Sequence, residues 1–240
     1  MLNYELPQKF ENWIETRNWV LRPHQIEVLN NSKRKSQLLI APTGSGKTLS
    51  GFLPTLIELG SSEFSGLHTI YVSPLKALAS DIKRNLMIPI EEIGLNIRVE
   101  DRTGDTKAAI KRRQRVDPPH ILLTTPESLA LLISFPESKT LFANLIRIVI
   151  DEIHVLVENK RGHQLVLAIS RLQSLCTNLR KIGLSATVDR PEEIANFISE
   201  NRANCPIIFA KSGIDPDISM LQTKTPPPWA GAGATYSIPD

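Results

Sequence analysis

The sequence predicts an α/β domain of three layers, a mostly parallel sheet with helices on both faces. Short apolar, β-rich runs alternate with helical patterns along most of the 240 residues, the signature of βαβ units. The run Ile146-Arg147-Ile148-Val149-Ile150 is nearly all apolar, as a strand covered on both faces should be. The run Leu38-Leu39-Ile40 feeds a glycine-rich loop, and Leu49-Ser50-Gly51-Phe52-Leu53 beyond it can open a helix.

Residues 7–30 read as helical, with Pro23 as a break. Strands are then expected at 38–41, 69–73, 97–100, 121–124, 146–150, 181–185 and 207–209. Helices are expected between them at 47–59, 75–90, 108–115, 127–134, 162–175 and 191–198. After Ala210 the pattern decays, and residues 224–234 are rich in Pro, Gly and Ala, a linker or loose tail. Three regions follow: a helical region over 1–30, the main domain over 31–212, and the tail over 213–240.

Composition sets bounds. With 41% hydrophobic and 22% charged residues, the chain suits one large or two small globular domains. The net charge of +3 permits nucleic-acid binding without arguing for it. Cys176 and Cys205 are isolated, so they read as reduced, packed thiols, with no zinc or redox motif. His24, His68, His120 and His163 show no ligand-like spacing. Met1-Leu2-Asn3-Tyr4-Glu5 lacks the basic-then-apolar pattern of a signal peptide. Apolar runs such as 129–135 are too short to span a bilayer, so a cytoplasmic protein with no membrane partner is expected.

The segment Ala41-Pro42-Thr43-Gly44-Ser45-Gly46-Lys47-Thr48 fits the phosphate-loop pattern, with Ala41 in place of its first glycine. Its glycines let backbone N–H groups curl around a polyphosphate. The following helix adds the partial positive charge of its N-terminus. Lys47 can reach the β- and γ-phosphates, and the Thr48 hydroxyl can ligate Mg²⁺.

A second element ends the strand at 146–150 in Asp151-Glu152-Ile153-His154. Asp151 can hold Mg²⁺, directly or through water. Glu152 can orient and deprotonate an attacking water. His154 can relay this site to a neighbouring surface. The third element, Ser185-Ala186-Thr187, ends the strand at 181–185 and can bridge the acidic segment to whatever binds above the sheet.

In this order the three elements resemble motifs I, II and III of superfamily 2 helicases of the DExH type. That resemblance implies a RecA-like phosphate-loop NTPase domain using ATP and Mg²⁺. Arg22-Pro23-His24-Gln25 resembles the Q motif, where Gln25 would read the adenine edge. An aromatic upstream, Trp19 or Phe10, would stack on the base, beside a core-packing reading for either. Ser73-Pro74-Leu75-Lys76, Arg102-Thr103-Gly104-Asp105-Thr106 and Thr125-Pro126-Glu127-Ser128 resemble motifs Ia, Ib and the Thr-Pro-Glu segment. In the family these three grip one nucleic-acid strand through its phosphates. Pro74, Leu75, Lys76, Thr103, Gly104, Thr125, Pro126 and Glu127 are the candidates here, beside a plain helix-cap reading. The basic run Lys107, Lys111, Arg112, Arg113 and Arg115 reads either as a solvated helix face or as a phosphate patch.

Flanks such as Asp117-Pro118-Pro119-His120 and Lys160-Arg161-Gly162-His163-Gln164 are similar to the large helicase-related (Lhr) group. Within it, the sequence is most similar to bacterial ligase-associated DExH helicases of the DNA damage response. The resemblance implies single-stranded DNA as partner, with RNA left open, and a cytoplasmic, nucleoid-associated place of action. It also implies a second RecA-like domain that supplies arginine fingers. Nothing after Thr187 resembles motifs IV to VI. Residues 228–240 resemble the lead into that domain, although Ala232 stands where a His is expected, and Trp229 is expected to dock on one of the two domains. A truncated motor is therefore expected, binding ATP but hydrolysing it slowly. A nucleotide-dependent nucleic-acid-binding module without turnover, or a remnant without helicase activity, is the alternative. A small-molecule kinase would leave Ser-Ala-Thr and Thr-Pro-Glu unexplained.

Overall fold

The computed structural model describes residues 4–199 and 204–211, with the side chains of 76–80 excepted. The expected tail over 213–240, with Trp229, lies outside the described residues. The strands are β1 Ser36–Ile40, β2 Thr69–Val72, β3 Val99–Arg102, β4 Ile121–Thr124, β5 Arg147–Ile150, β6 Arg180–Ser185 and β7 Ile207–Phe209. They form one sheet in the order β3-β4-β2-β5-β6-β1-β7, with every pairing parallel. All seven expected strands are present.

Two-residue alternation divides the core between the two faces of the sheet. Leu38, Ile40, Ile70, Val72, Ile148 and Ile150 face one cluster. It is closed by α6 Pro126–Ser134, α8 Ile153–Val157, α9 Lys160–Leu175 and α10 Pro191–Ile198. Leu39, Tyr71, Val149, Ile182 and Leu184 face the other. It is closed by α1 Gln8–Thr16, α2 Pro23–Asn30, α3 Lys47–Ser61 and α4 Lys76–Ile93. Phe10, Val28 and Leu29 of the N-terminal helices belong to this second core. The remaining helices are α5 Ala108–Val116 and the short α7 Ser138–Leu141.

Several local expectations change. Pro23 starts α2 at its first turn, where a missing N–H costs nothing, so the break falls before it in residues 17–22, where Asn18 takes φ 50°. β3 begins two residues later than its apolar onset and runs on through Asp101 and Arg102. Pairing with β4 sets its register, from Val99 opposite Ile121 to Arg102 opposite Thr124. Helices α7 and α8 were not expected from the sequence; at four and five residues they are too short to show a period.

Gly162 fixes the crossing of α8 and α9. A Cβ there would lie 1.8 Å from the Leu156 carbonyl oxygen, a backbone atom that cannot swing aside. Gly162→Ala should therefore destabilise the fold by about 2–3 kcal/mol, read as a lower urea midpoint. An unchanged midpoint would show that the two helices do not approach this closely in solution.

Candidate nucleotide site and nucleic-acid face

Sheet order explains why the motifs occur in this sequence order yet act together. β5, β6 and β1 are neighbours, so Asp151-Glu152, Ser185-Ala186-Thr187 and the phosphate loop leave three adjacent strand ends. β3, β4 and β2 are likewise neighbours, so Thr103-Gly104, Thr125-Pro126 and Pro74-Leu75 leave three more, with β7 at the far edge. Both sets sit at the carboxyl ends of parallel strands, where open α/β sheets bind their ligands.

The phosphate loop curls as expected. Gly44 and Gly46 take φ 79° and 80°, a region that disfavours side chains, and Gly46 caps α3. The Ser45 hydroxyl is buried without a hydrogen-bond partner, as suits a group whose partner is a ligand. Lys47 is largely buried, and its Nζ lies 2.7 Å from Glu152 Oε1.

Asp151 is 4% exposed, and its Oδ1 accepts the Glu152 backbone N–H at 2.9 Å. Burial pushes its carboxyl above the usual range, against the pull of Tyr71 and the Lys47 charge. Glu152 itself takes φ 45°, a left-handed conformation rare outside glycine. That turn aims its carboxylate back over the phosphate loop. Such strain persists only where surrounding contacts hold it, here the ion pair to Lys47 and the start of α8. His154 Nδ1 lies 3.3 Å from Ser185 Oγ, 3.4 Å from the Ala186 backbone N and 3.5 Å from Glu152 Oε2. His154 thus links the acidic segment to Ser185 and Ala186, the contact that a relay from Glu152 toward the Ser-Ala-Thr strand would need.

The residues fit a hard divalent cation. A hydroxyl, Thr48, and a buried carboxylate, Asp151, form an oxygen donor set at the mouth of a phosphate site. Among the described residues no cluster of three or more His, Cys, Asp or Glu forms an all-protein metal cage, and a cation shared with phosphates needs none. Tyr71, missed in the sequence, sits beneath this set. Its ring stacks on Phe52 at 4.6 Å, and its buried hydroxyl closes no well-formed hydrogen bond. Burial pushes that hydroxyl well above its ordinary range, and the Asp151 charge adds to the shift. The signal available was parity: Tyr71 is the one residue of Ile70-Tyr71-Val72 that faces α3.

On the base side, Gln25 is buried. Its Oε1 accepts the Arg22 backbone N–H at 2.9 Å, and its amide nitrogen backs onto Gly46. Phe10 is wholly buried in the core, which leaves Trp19 as the aromatic of the two that can meet a base. Trp19 is 46% exposed and lines a cleft of about 520 Å³ with Thr43, Gly44, Gly46, Lys47, Thr48 and Glu152. The Arg17 guanidinium lies over the Trp19 ring at 5.1 Å and is paired with Glu92 of α4, which also accepts from Trp13 at 2.7 Å.

On the other half of the sheet, Thr125 caps α6, its Oγ1 accepting the Ser128 N–H at 3.4 Å. The Thr103 hydroxyl accepts the Asp105 N–H at 3.3 Å. Both threonines are buried, so these hydroxyls shape turns, while backbone N–H groups remain the natural contacts at the helix starts. Glu127 is paired twice with Arg161 of α9, so this face presents an oriented guanidinium that the motif did not announce. Leu75 is exposed at the start of α4, where Lys76 is the first helical residue. The basic run of α5 is largely spent internally. Arg113 pairs with Glu100, Arg115 with Glu137, and Lys111 donates to the Gly104 carbonyl at 2.9 Å. Three of its five cations are thus tied to acceptors of the domain itself.

A phosphate loop and an acidic pair on strands separated by the Ser-Ala-Thr strand make this a RecA-like phosphate-loop NTPase domain. Comparison with known proteins narrows the class. The profile of the DEAD/DEAH box helicases matches residues 22–195, and the chain belongs to that family. It is a helicase domain of the Lhr type. ATP-dependent helicase Lhr-Core protein 2 of Thermococcus barophilus is 42% identical over 217 residues, 83% of this chain and 25% of the relative. The Lhr helicase/uracil glycosylase of Escherichia coli is 38% identical over 216 residues, 78% of this chain and 14% of the relative. Mycobacterium smegmatis helicase Lhr, solved bound to ssDNA and AMP-PNP, matches with a TM-score of 0.80 at 35% identity, over 87% of this chain and 28% of that one. The chain thus spans a quarter or less of the length of these two curated relatives. Among the described residues no helix is long and apolar enough to cross a membrane.

Proposed function

We propose that this chain is the first motor domain of an ATP-dependent DNA helicase or translocase of the DNA repair type. The observation that carries the reading is the sheet order, which gathers the nucleotide groups on β5-β6-β1 and the strand-gripping candidates on β3-β4-β2. The Mycobacterium smegmatis relative bound to ssDNA favours DNA over RNA.

Phosphates entering the loop meet the Gly44–Thr48 backbone N–H groups and draw Lys47 away from Glu152. Glu152, released, orients the attacking water and takes its proton. Mg²⁺, held by Thr48 and Asp151, would neutralise charge developing on the phosphoryl oxygens. Trp19 stacks the base and Gln25 offers its amide edge to it. His154 carries the state of Glu152 to Ser185 and Ala186 and so toward the strand-binding half. Pro74, Leu75, Lys76, Thr103, Gly104, Thr125, Pro126 and the Glu127–Arg161 pair hold the DNA phosphates. The main domain over 31–212 works with the 1–30 region as its base wall, and 213–240 leads to the partner motor domain. That domain supplies an arginine finger worth about 10³–10⁵ in rate. Acting on DNA places the protein in the cytoplasm at the nucleoid.

Steady-state ATPase of the 240-residue polypeptide, with and without single-stranded DNA, tests this beside Glu152→Gln. Lys47-dependent nucleotide binding with very slow turnover is the expected result. Strong DNA-stimulated turnover, lost in Glu152→Gln, would show a complete site and overturn the need for a partner domain.

A further inference from the structure

His24 stands one residue before the glutamine expected to read the base, yet it faces the phosphate loop. The side chain is 4% exposed, and its Nε2 lies 3.2 Å from the backbone carbonyl oxygen of Ser45. A carbonyl only accepts, so Nε2 carries the proton. Burial pushes the ring below its ordinary titration range, against the Ser45 carbonyl, so the neutral Nε2–H form persists at neutral pH.

Peptide planarity gives this contact its meaning. The Ser45 carbonyl and the Gly46 N–H belong to one trans peptide and point in opposite directions. Holding the carbonyl toward α2 holds the Gly46 N–H away from it, toward the side of the loop where a bound phosphate would lie. Two further features fix the same peptide. Gly46 takes φ 80°, and a Cβ on it would meet the Gln25 amide nitrogen at 3.0 Å, so α2 packs directly against the loop. The Ser45 hydroxyl beside this peptide is buried and has no hydrogen-bond partner in the protein.

We propose that His24 is a positioning residue for nucleotide binding: its Nε2–H holds the Ser45–Gly46 peptide in the orientation that presents the Gly46 N–H to phosphate. The proposal rests on the reading that the loop binds a nucleoside triphosphate. It assigns α2 a second task beside base reading, that of keeping the loop open before ligand arrives.

Titration of the full chain with a fluorescent ATP analogue and with AMP, well below the melting temperature, tests it in wild type, His24→Gln, His24→Asn, His24→Phe and Lys47→Ala. A glutamine amide reaches roughly where Nε2 stands, whereas asparagine falls short and phenylalanine donates nothing. The Asn and Phe variants should bind the triphosphate about tenfold more weakly, the Gln variant within about threefold of wild type, and AMP should discriminate much less. The Gln/Asn pair keeps the question open to test if Phe fails to fold. Equal affinities for Gln and Asn, or losses as large for AMP as for triphosphate, would overturn the proposal. Wild type and Lys47→Ala binding equally poorly would instead overturn the nucleotide reading, and this proposal with it.

Discussion

Glu152→Gln should abolish turnover while tightening nucleotide binding, and Lys47→Ala should do the reverse to affinity. Both residues are spent on each other at 2.7 Å in this state, largely out of solvent. A triphosphate must therefore compete with Glu152 for Lys47. Replacing the carboxylate by an amide removes the competitor's charge, so the phosphates should bind severalfold more tightly. It also removes the base, at a cost of about 10²–10⁴ in the chemical step. Lys47→Ala leaves the partly exposed Glu152 beside the loop with no cation, and both the missing contact and the unpaired charge oppose an anionic ligand. Equilibrium titration and single-turnover hydrolysis separate the effects. If Glu152→Gln weakens binding as much as Lys47→Ala does, the ion pair is not a competitor and Glu152 helps to build the phosphate site.

This pairing also explains why Glu152 tolerates φ 45°. Its neighbour Asp151 continues the β5 direction and stays buried near Thr48, whereas Glu152 must turn back toward Lys47. One backbone reversal thus gives two adjacent carboxylates two different surroundings, one fit to hold a cation and the other to move a proton.

Much of this was legible in the sequence, for particular reasons. Strands buried on both faces leave near-continuous apolar runs, so central strands such as β2, β4 and β5 could be placed closely, whereas the edge strand β3, Val99-Glu100-Asp101-Arg102, carries no such run and lies two residues from its expected bounds. The phosphate loop and Asp-Glu-Ile-His are constrained by chemistry, so candidate roles can be assigned to them from residue type and order alone. What was not legible depends on partners distant in sequence. Phe10 and Trp19 look equivalent as aromatics upstream of Gln25, yet one packs beneath Gly60 and the other rims the cleft. The basic run of α5 reads as free charge until Glu100 and Glu137 arrive from other segments. Arg161 gains meaning only when α9 packs along α6 and brings it to Glu127. His24 looks like an unplaced histidine until the loop folds over it.

The end of the sheet opposite the nucleotide site carries the largest expected stability effect. Arg147 opens β5 and is 0% exposed, a guanidinium wholly out of water. It donates to both Glu58 oxygens at 3.0 Å and to the Thr55 hydroxyl at 3.0 Å. Glu58 also accepts from Arg180 at 2.7 Å and stands 3.3 Å from His68 Nε2. Burial alone would raise the Glu58 carboxyl, but the His68 hydrogen bond and the two guanidiniums outweigh it and hold it at about 2. Glu58→Ala should therefore cost about 3–5 kcal/mol in urea unfolding, because it strands a buried cation. Replacing Arg147 and Glu58 together by leucines should cost much less than Glu58→Ala alone, since no charge is then left unpaired. The pH dependence has a definite sign. The folded value is depressed from 4.5, so the stabilisation is complete above about pH 4.5 and is lost as pH falls toward 2. His68, pushed below its ordinary value chiefly by burial, also disfavours the protonated folded state, so acid acts in the same direction from about pH 6.5 downward. Melts across this range should show Glu58→Gln less stable at pH 7 and flatter below 4.5. A wild-type curve already flat between pH 4.5 and 2 would mean that Glu58 is not held ionised by Arg147 in solution.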